Sequence, residues 1–290
     1  MVSVIITTYN ELDTLPRALE AILKEKVADE ILVVAPDEET ERLIEKKYPQ
    51  VRFLKNEKIV KPAGLNLGIK EAKGEIVILT DGDVLIKEGS LNLLLKALEK
   101  KEVGLSCGQP TSLNPKDNML GFWSHFLTFA AHKLREKSKI FPASGNLYAF
   151  KKNLFSPIYE KTMVDDALIT AAVVSCGYRI VYVPEARVYV KYPENFKDWI
   201  KQKVRATGGY IEKSKISSLV SLRKFRNLWQ EILMGFYLFF TYPKSLKEFW
   251  WTKLLYLARI YLWFLIFWQI KIRKKGIKDL WKRVESTKKL

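Results

Sequence analysis

Glu75-Ile-Val-Ile-Leu-Thr80-Asp81-Gly82-Asp83 is a short apolar, β-branched run that ends abruptly in two carboxylates separated by one glycine. Its unbroken apolar character between Gly74 and Gly82 predicts a strand buried on both faces, as in parallel sheets covered by helices. In an open α/β sheet, ligands collect outside the carboxyl ends of such strands. Two acidic side chains there, with a glycine letting the backbone turn, suit a hard divalent cation that carries a substrate's phosphates. Asp-x-Asp alone is a weak signal, because a solvated turn with capping aspartates has the same appearance. Its weight depends on its company.

Strand and helix patterns alternate on either side of this run. Val2–Thr8 is an apolar strand, and Thr14–Lys24 a helix with Pro16 in its first turn. Glu30–Ala35 is the next strand, Glu38–Tyr48 a charged amphipathic helix, and Val51–Leu54 a short strand. The helix Pro62–Ala72 leads into the strand ending at Asp81, and Leu91–Lys101 forms another helix. This order predicts a doubly wound, mainly parallel α/β sheet with flanking helices. A second block follows: a strand at Val103–Gly108, a helix over Asn118–Arg135, a strand at Asn146–Phe150, a helix over Asp166–Cys176 and a strand at Arg179–Pro184.

The net charge of +17 is unevenly placed. Residues 1–100 carry 15 Lys and Arg against 18 Asp and Glu, residues 101–190 carry 11 against 7, and residues 191–290 carry 23 against 7. Seven of the eight tryptophans share that basic last third, Trp281 among them. Basic residues mixed with Trp, Tyr and long apolar runs describe a membrane interface better than a nucleic-acid groove, so no nucleic-acid partner is expected. The apolar runs Leu228–Thr241 and Leu254–Ile272 are interrupted by Glu231 and Arg259 and flanked by lysines, including Lys271 to Lys275. Helices lying in the interface, spanning or re-entrant helices, and an ordinary hydrophobic core all fit that pattern. The start Met1-Val-Ser-Val-Ile-Ile reads as a strand without a basic n-region, so no signal peptide and a cytoplasmic catalytic part are expected. Cys107 and Cys176 stand far apart, as buried free thiols, and no zinc site is expected. His125 and His132 fall on one face of the Asn118–Arg135 helix, whose Phe122-Trp123 pair should belong to the core.

Four further segments accompany the Asp pair, in order. Val4-Ile-Ile-Thr-Thr-Tyr-Asn-Glu11 runs from a strand into polar residues at the sheet edge. Lys61-Pro-Ala-Gly-Leu-Asn66 opens a helix whose N-terminus favours phosphate. Val164-Asp165-Asp166-Ala-Leu168 opens another, and Gln202-Lys-Val-Arg205 sits at a helix start near the tail. Together these segments, over roughly residues 1–210, resemble the family 2 glycosyltransferases, inverting GT-A enzymes that use nucleotide-sugar donors.

The resemblance implies roles residue by residue. Thr8, Tyr9, Asn10 and Glu11 match the opening motif that wraps the nucleoside, and Lys61 and Asn66 match a stretch beside the nucleotide. Asp81 and Asp83 match the Asp-x-Asp, with Asp83 the usual ligand of Mn2+ or Mg2+. Ser144, Gly145 and Asn146 match the small-residue segment near the sugar and acceptor. Asp165 and Asp166 match the family's Glu-Asp pair, Asp166 falling at the catalytic base. Gln202 and Arg205 match residues that contact pyrophosphate and acceptor. Two positions depart from the pattern. The base-reading segment after the second strand is Val34-Ala35-Pro36-Asp37-Glu38, in which the aspartate is either missing or displaced to Asp37, leaving uracil versus guanine open. Ala206 replaces the tryptophan after Gln-x-x-Arg, which argues against a processive synthase.

The expected activity is transfer of a sugar from a UDP- or GDP-sugar to an acceptor hydroxyl or phosphate, with inversion. A cation on Asp83 and Asp81, with Lys61 and Arg205, would neutralise the departing diphosphate. Asp166 near a helix N-terminus would stay ionised and accept the acceptor's proton. The expected domains are 1–210, with a nucleotide-binding half 1–101 and an acceptor half 102–210, and a basic aromatic membrane-associating tail 211–290. That tail suggests a lipid-linked acceptor at the cytoplasmic face of the membrane. Simpler roles compete: Asp165 and Asp166 as N-caps, Asp37 as a turn residue, Gln202 and Arg205 as a solvated face. A sugar nucleotidyltransferase would want a Gly-rich basic loop after the first strand, where Thr7–Glu11 offers none. A non-catalytic binding module on a degenerate transferase fold is the remaining rival.

Overall fold

A computed structural model of the chain describes residues 1–160, 162, 164–211, 228–268 and 284–287. The tail lysines Lys271 to Lys275 and Trp281 lie outside the described residues. The described residues fall into two compact units, Met1–Pro110 with Pro142–Val190, and Thr111–Phe141 with Lys191–Thr287.

The first unit is built on an eight-stranded mixed sheet. In chain order its elements are β1 (Val2–Thr7), α1 (Leu15–Glu25), β2 (Glu30–Ala35), α2 (Glu38–Lys47), β3 (Arg52–Lys55), α3 (Lys61–Glu71), β4 (Ile76–Asp81), β5 (Val84–Ile86) and α4 (Ser90–Leu98). β6 (Val103–Ser112) follows and, after α5 (Met119–Lys137) of the second unit, come β7 (Leu147–Lys151), α6 (Asp165–Ser175) and β8 (Arg179–Val190). The strand order is β3-β2-β1-β4-β7-β6-β8-β5. β3, β2, β1 and β4 pair in parallel, whereas β7 runs antiparallel to β4 and β6, and β5 antiparallel to β8. β1 and β4 are buried throughout their centres because apolar, branched residues occupy both faces, and helices cover both. The chain moves outward from β1 to β3, then returns to place β4 on β1's other side. That reversal is a topological switch point, and the register Thr7↔Asp81 brings the carboxyl ends of β1 and β4 level there.

Two features of this unit differ from the sequence expectation. β5 is three residues long, too short for any periodicity to show, and it follows Asp83 directly. β8 continues past Pro184 to Val190, and its last residues Val188–Val190 pair with β5.

The second unit is helical. α5 packs with α7 (Phe196–Ile211), α8 (Leu228–Thr241) and α9 (Leu246–Phe267) around Phe122, Trp123, Phe126, Trp199, Met234, Leu238, Leu255 and Ala258. The indole of Trp123 donates to the Trp251 carbonyl at 2.7 Å, so this large buried ring leaves no unpaired donor. This aromatic core groups Thr111–Phe141 with the helices after Lys191. α9 begins eight residues before the apolar run at Leu254, because Ser245 caps it: its hydroxyl accepts from the Glu248 amide while the Glu248 carboxylate accepts from the Lys244 amide. No helix among the described residues is long and apolar enough to cross a membrane. Cys107 is buried as expected, but Cys176 is exposed at the C-cap of α6, where the chain turns out through Gly177.

Candidate active site

At the carboxyl ends of β1 and β4 the opening motif and the Asp-Gly-Asp turn interlock. The Gly82 amide donates to the Thr7 carbonyl at 3.3 Å, and the Thr14 hydroxyl donates to the Gly82 carbonyl at 2.9 Å. The Thr8 hydroxyl donates to the Glu11 carboxylate at 2.8 Å, both side chains being buried. A Cβ on Gly82 would stand 2.6 Å from Thr8 Oγ1 and 2.8 Å from Glu11 Oε2, so close approach of these two segments is what requires glycine between the aspartates. Asn10 adopts a left-handed backbone (φ 52°) and its amide donates to the Asp37 carboxylate at 3.1 Å. The other Asp37 oxygen caps α2 through the Thr40 amide at 3.0 Å. Asp37 is therefore a helix cap and also the tie between the ends of β1 and β2. Tyr9 is exposed beside them, at 37%.

The third contributor is α3. Its first residue, Lys61, places Nζ 2.5 Å from Asp81 Oδ1 and 3.9 Å from Asp165 Oδ2. Burial alone would lower the pKa of this ammonium. The charges of Asp81 and Asp165, the hydrogen bond to Asp81 and the charge of Asp166 outweigh burial and raise it above the ordinary lysine value. Asp165 and Asp166 form the first turn of α6, one and two residues inside Val164 at the N-cap, so neither is the N-cap itself. The Asp166 carboxylate accepts from the Ala167 amide at 2.8 Å, at the helix end where the backbone dipole favours negative charge. The segment 144–146 lies against it: a Cβ on Gly145 would stand 3.2 Å from Asp166 Oδ2. That segment is tied to β4 by the Thr80 hydroxyl, which donates to the Asn146 carbonyl at 2.9 Å. Ser144 Oγ is buried with no hydrogen-bond partner. A second such hydroxyl, on Tyr148, was not singled out by sequence, because a tyrosine within an apolar strand looks like core.

Asn66, Gln202 and Arg205 are placed as follows. Both ends of the Asn66 amide are engaged with Ile158, donating to its carbonyl at 2.8 Å and accepting from its amide at 2.9 Å, which clamps α3 to the following loop. Gln202 and Arg205 belong to the second unit and sit in the middle of α7 rather than at its start; Asn195 caps that helix through the Asp198 amide. Gln202 Oε1 is nonetheless buried and unpaired, which a solvated face would not produce.

Among the described residues no group of three or more His, Cys, Asp and Glu side chains comes together as a metal cage. The hard oxygens of Asp81 and Asp83 fit a cation of the Mg2+ or Mn2+ type, which uses one or two carboxylates and takes its other ligands from phosphates and water.

Comparison with known proteins agrees with this geometry. The family model described as "Glycosyltransferase like family 2" matches residues 1–209. The chain is 23% identical to "Probable glycosyltransferase YdaM" of Bacillus subtilis over 269 residues, covering 83% of this chain and 62% of that protein. It is 24% identical to the poly-beta-1,6-N-acetyl-D-glucosamine synthase of Staphylococcus epidermidis over 225 residues, covering 72% of this chain and 54% of the relative. The chain thus spans less than two thirds of the length of these relatives. Among solved structures, the mannosyltransferase PcManGT of Pyrobaculum calidifontis, in complex with GDP-Man and Mn2+, superposes with a TM-score of 0.58 at 19% identity, covering 89% of this chain and 79% of that one. That likeness establishes the fold.

Proposed function

The chain belongs to the glycosyltransferase-like family 2, and from that premise we propose that it transfers a sugar from a UDP- or GDP-sugar to an acceptor hydroxyl or phosphate by one inverting displacement. The observation that carries this reading is the convergence of Lys61, Asp81 and Asp165 within 3.9 Å at the switch point of a parallel sheet, with Asp166 next in the chain. Thr8 to Glu11 and Asp37 line the ends of β1 and β2, where a nucleoside would lie. Asp83 and Asp81 would hold a divalent cation, which supplies positive charge to the departing diphosphate. Lys61, at the N-terminus of α3, adds its own charge on that side. Asp166 takes the acceptor's proton as the acceptor oxygen bonds to the anomeric carbon. The bond from that carbon to the phosphate oxygen breaks, and the nucleoside diphosphate leaves with the electron pair. One base and one displacement invert the anomeric centre.

The tail supports a lipid-linked acceptor at the cytoplasmic membrane face. α8 and α9 turn one stripe to the core and leave the other uncovered. Leu233, Phe236 and Phe240 on α8 and Leu257, Ile260 and Phe264 on α9 are all more than half exposed. Lys247 and Lys253 sit over the Trp251 and Trp250 rings at 4.6 and 4.7 Å. Aromatic and aliphatic side chains rimmed by lysine suit an anionic lipid surface.

Calorimetric titration of UDP and GDP, each with and without Mn2+, tests the donor site. The expected result is metal-dependent binding of one nucleotide, weakened at least about tenfold in Asp83→Asn. Failure of both nucleotides to bind the folded protein overturns the reading.

A further inference from the structure

Tyr148 is 1% exposed, and its hydroxyl has no hydrogen-bond partner. It lies on β7 directly opposite Leu79 of β4. Opposed residues of an antiparallel pair project to the same face, and Leu79 shares its face with Asp81 two residues on. The ring stacks on Phe150 at 6.2 Å, on the side away from the carboxyl end of β4. The phenol is therefore on the face of Asp81, which Lys61 joins to Asp165. Burial first, then the charges of Asp165, Asp166 and Asp81, push it well above the usual tyrosine value, so it remains a hydrogen-bond donor at every working pH.

A buried hydroxyl without a partner loses its hydration and gains nothing in return. Phenylalanine would fill the same space without that penalty, so the hydroxyl works against stability in this state. Positions that break such a local rule are expected where function needs the group. The adjoining carboxylates supply the need. Lys61 reaches Asp81 and Asp165. The base, Asp166, must hold one orientation while it takes a proton, and a neutral donor can steady it without adding a second positive charge.

Resting on the group-transfer reading above, we propose that Tyr148 is a positioning residue: its hydroxyl donates to the Asp165–Asp166 carboxylates when the acceptor, or a water in its place, is bound and fixes the orientation of the base. Tyr148→Phe tests this, with thermal denaturation and with nucleoside diphosphate release from GDP-mannose or UDP-GalNAc in Mn2+, water standing in for the acceptor. The expected result is a kcat about 10- to 100-fold lower, a donor KM within about twofold of wild type, and an unchanged or higher Tm. Unchanged kcat with a higher Tm overturns the proposal and makes Tyr148 a core phenol. A fall in both kcat and Tm also overturns it, since the hydroxyl would then have a structural partner. A wild-type protein that binds neither nucleotide and releases no diphosphate overturns the transfer reading and this inference with it.

Discussion

Gly82 shows how much of this site is decided by space. Its place between Asp81 and Asp83 reads from sequence as a turn residue, but the constraint is the Thr8–Glu11 hydrogen-bonded pair, which leaves no room for a Cβ. Gly82→Ala should therefore destabilise the first unit by about 1–3 kcal/mol, the usual range for overpacking a tight interior. Chemical denaturation measures it, and an alanine variant of wild-type stability would show that the two segments can part freely. The same scale marks what sequence can and cannot disclose. Asp81, Lys61, Asp165 and Asp166 announce themselves because charged residues beside apolar runs need a reason. Tyr148 does not, since its oddity is a missing partner, which is a property of three-dimensional neighbours. Asn66 has the opposite history: its amide suggests a ligand contact, and the fold uses it to clamp the Ile158 loop.

At the scale of elements, the parallel half of the sheet was legible to within a residue or two. β1, β2 and β4 are buried on both faces and read as unbroken apolar runs, while α1 and α2 bury one face and carry a helical period. The antiparallel half was less so. β5 is shorter than any pattern, and β8 continues through Pro184, a residue that reads as a strand end. The start of α9 was hidden for another reason. Its first two turns are polar and aromatic, and the Ser245-x-x-Glu248 cap that fixes it is a four-residue signal easily passed over beside a long apolar run. α7 likewise begins at Phe196 under an Asn195 cap, ahead of the Gln202–Arg205 segment that drew attention.

For the whole molecule, charge and apolar exposure divide the chain in the same way. The first hundred residues carry a small acidic excess, with the parallel strands β1 to β4, whereas the last hundred hold nearly all the positive charge together with the uncovered faces of α8 and α9. That asymmetry was readable from composition, but which tail residues turn to the core was not, because α8 and α9 are apolar on nearly every side. Sedimentation with vesicles tests the exposed stripe as a lipid contact. The protein should bind anionic vesicles more tightly than neutral ones, and Phe236→Glu with Phe240→Glu should weaken binding by about tenfold or more, since each replaces an exposed aromatic with a repelled charge. Equal partitioning of the double variant and wild type would contradict it.

The central claim, that Asp166 is the base of a glycosyl transfer, is tested most directly by Mn2+-dependent release of nucleoside diphosphate from a panel of UDP- and GDP-sugars, comparing wild type with Asp166→Asn. The account predicts turnover of one donor by wild type and a loss of about 10²- to 10⁴-fold in the variant, with nucleotide affinity within about twofold. Wild-type turnover by Asp166→Asn, or turnover of no UDP- or GDP-sugar by the wild-type protein, would contradict it.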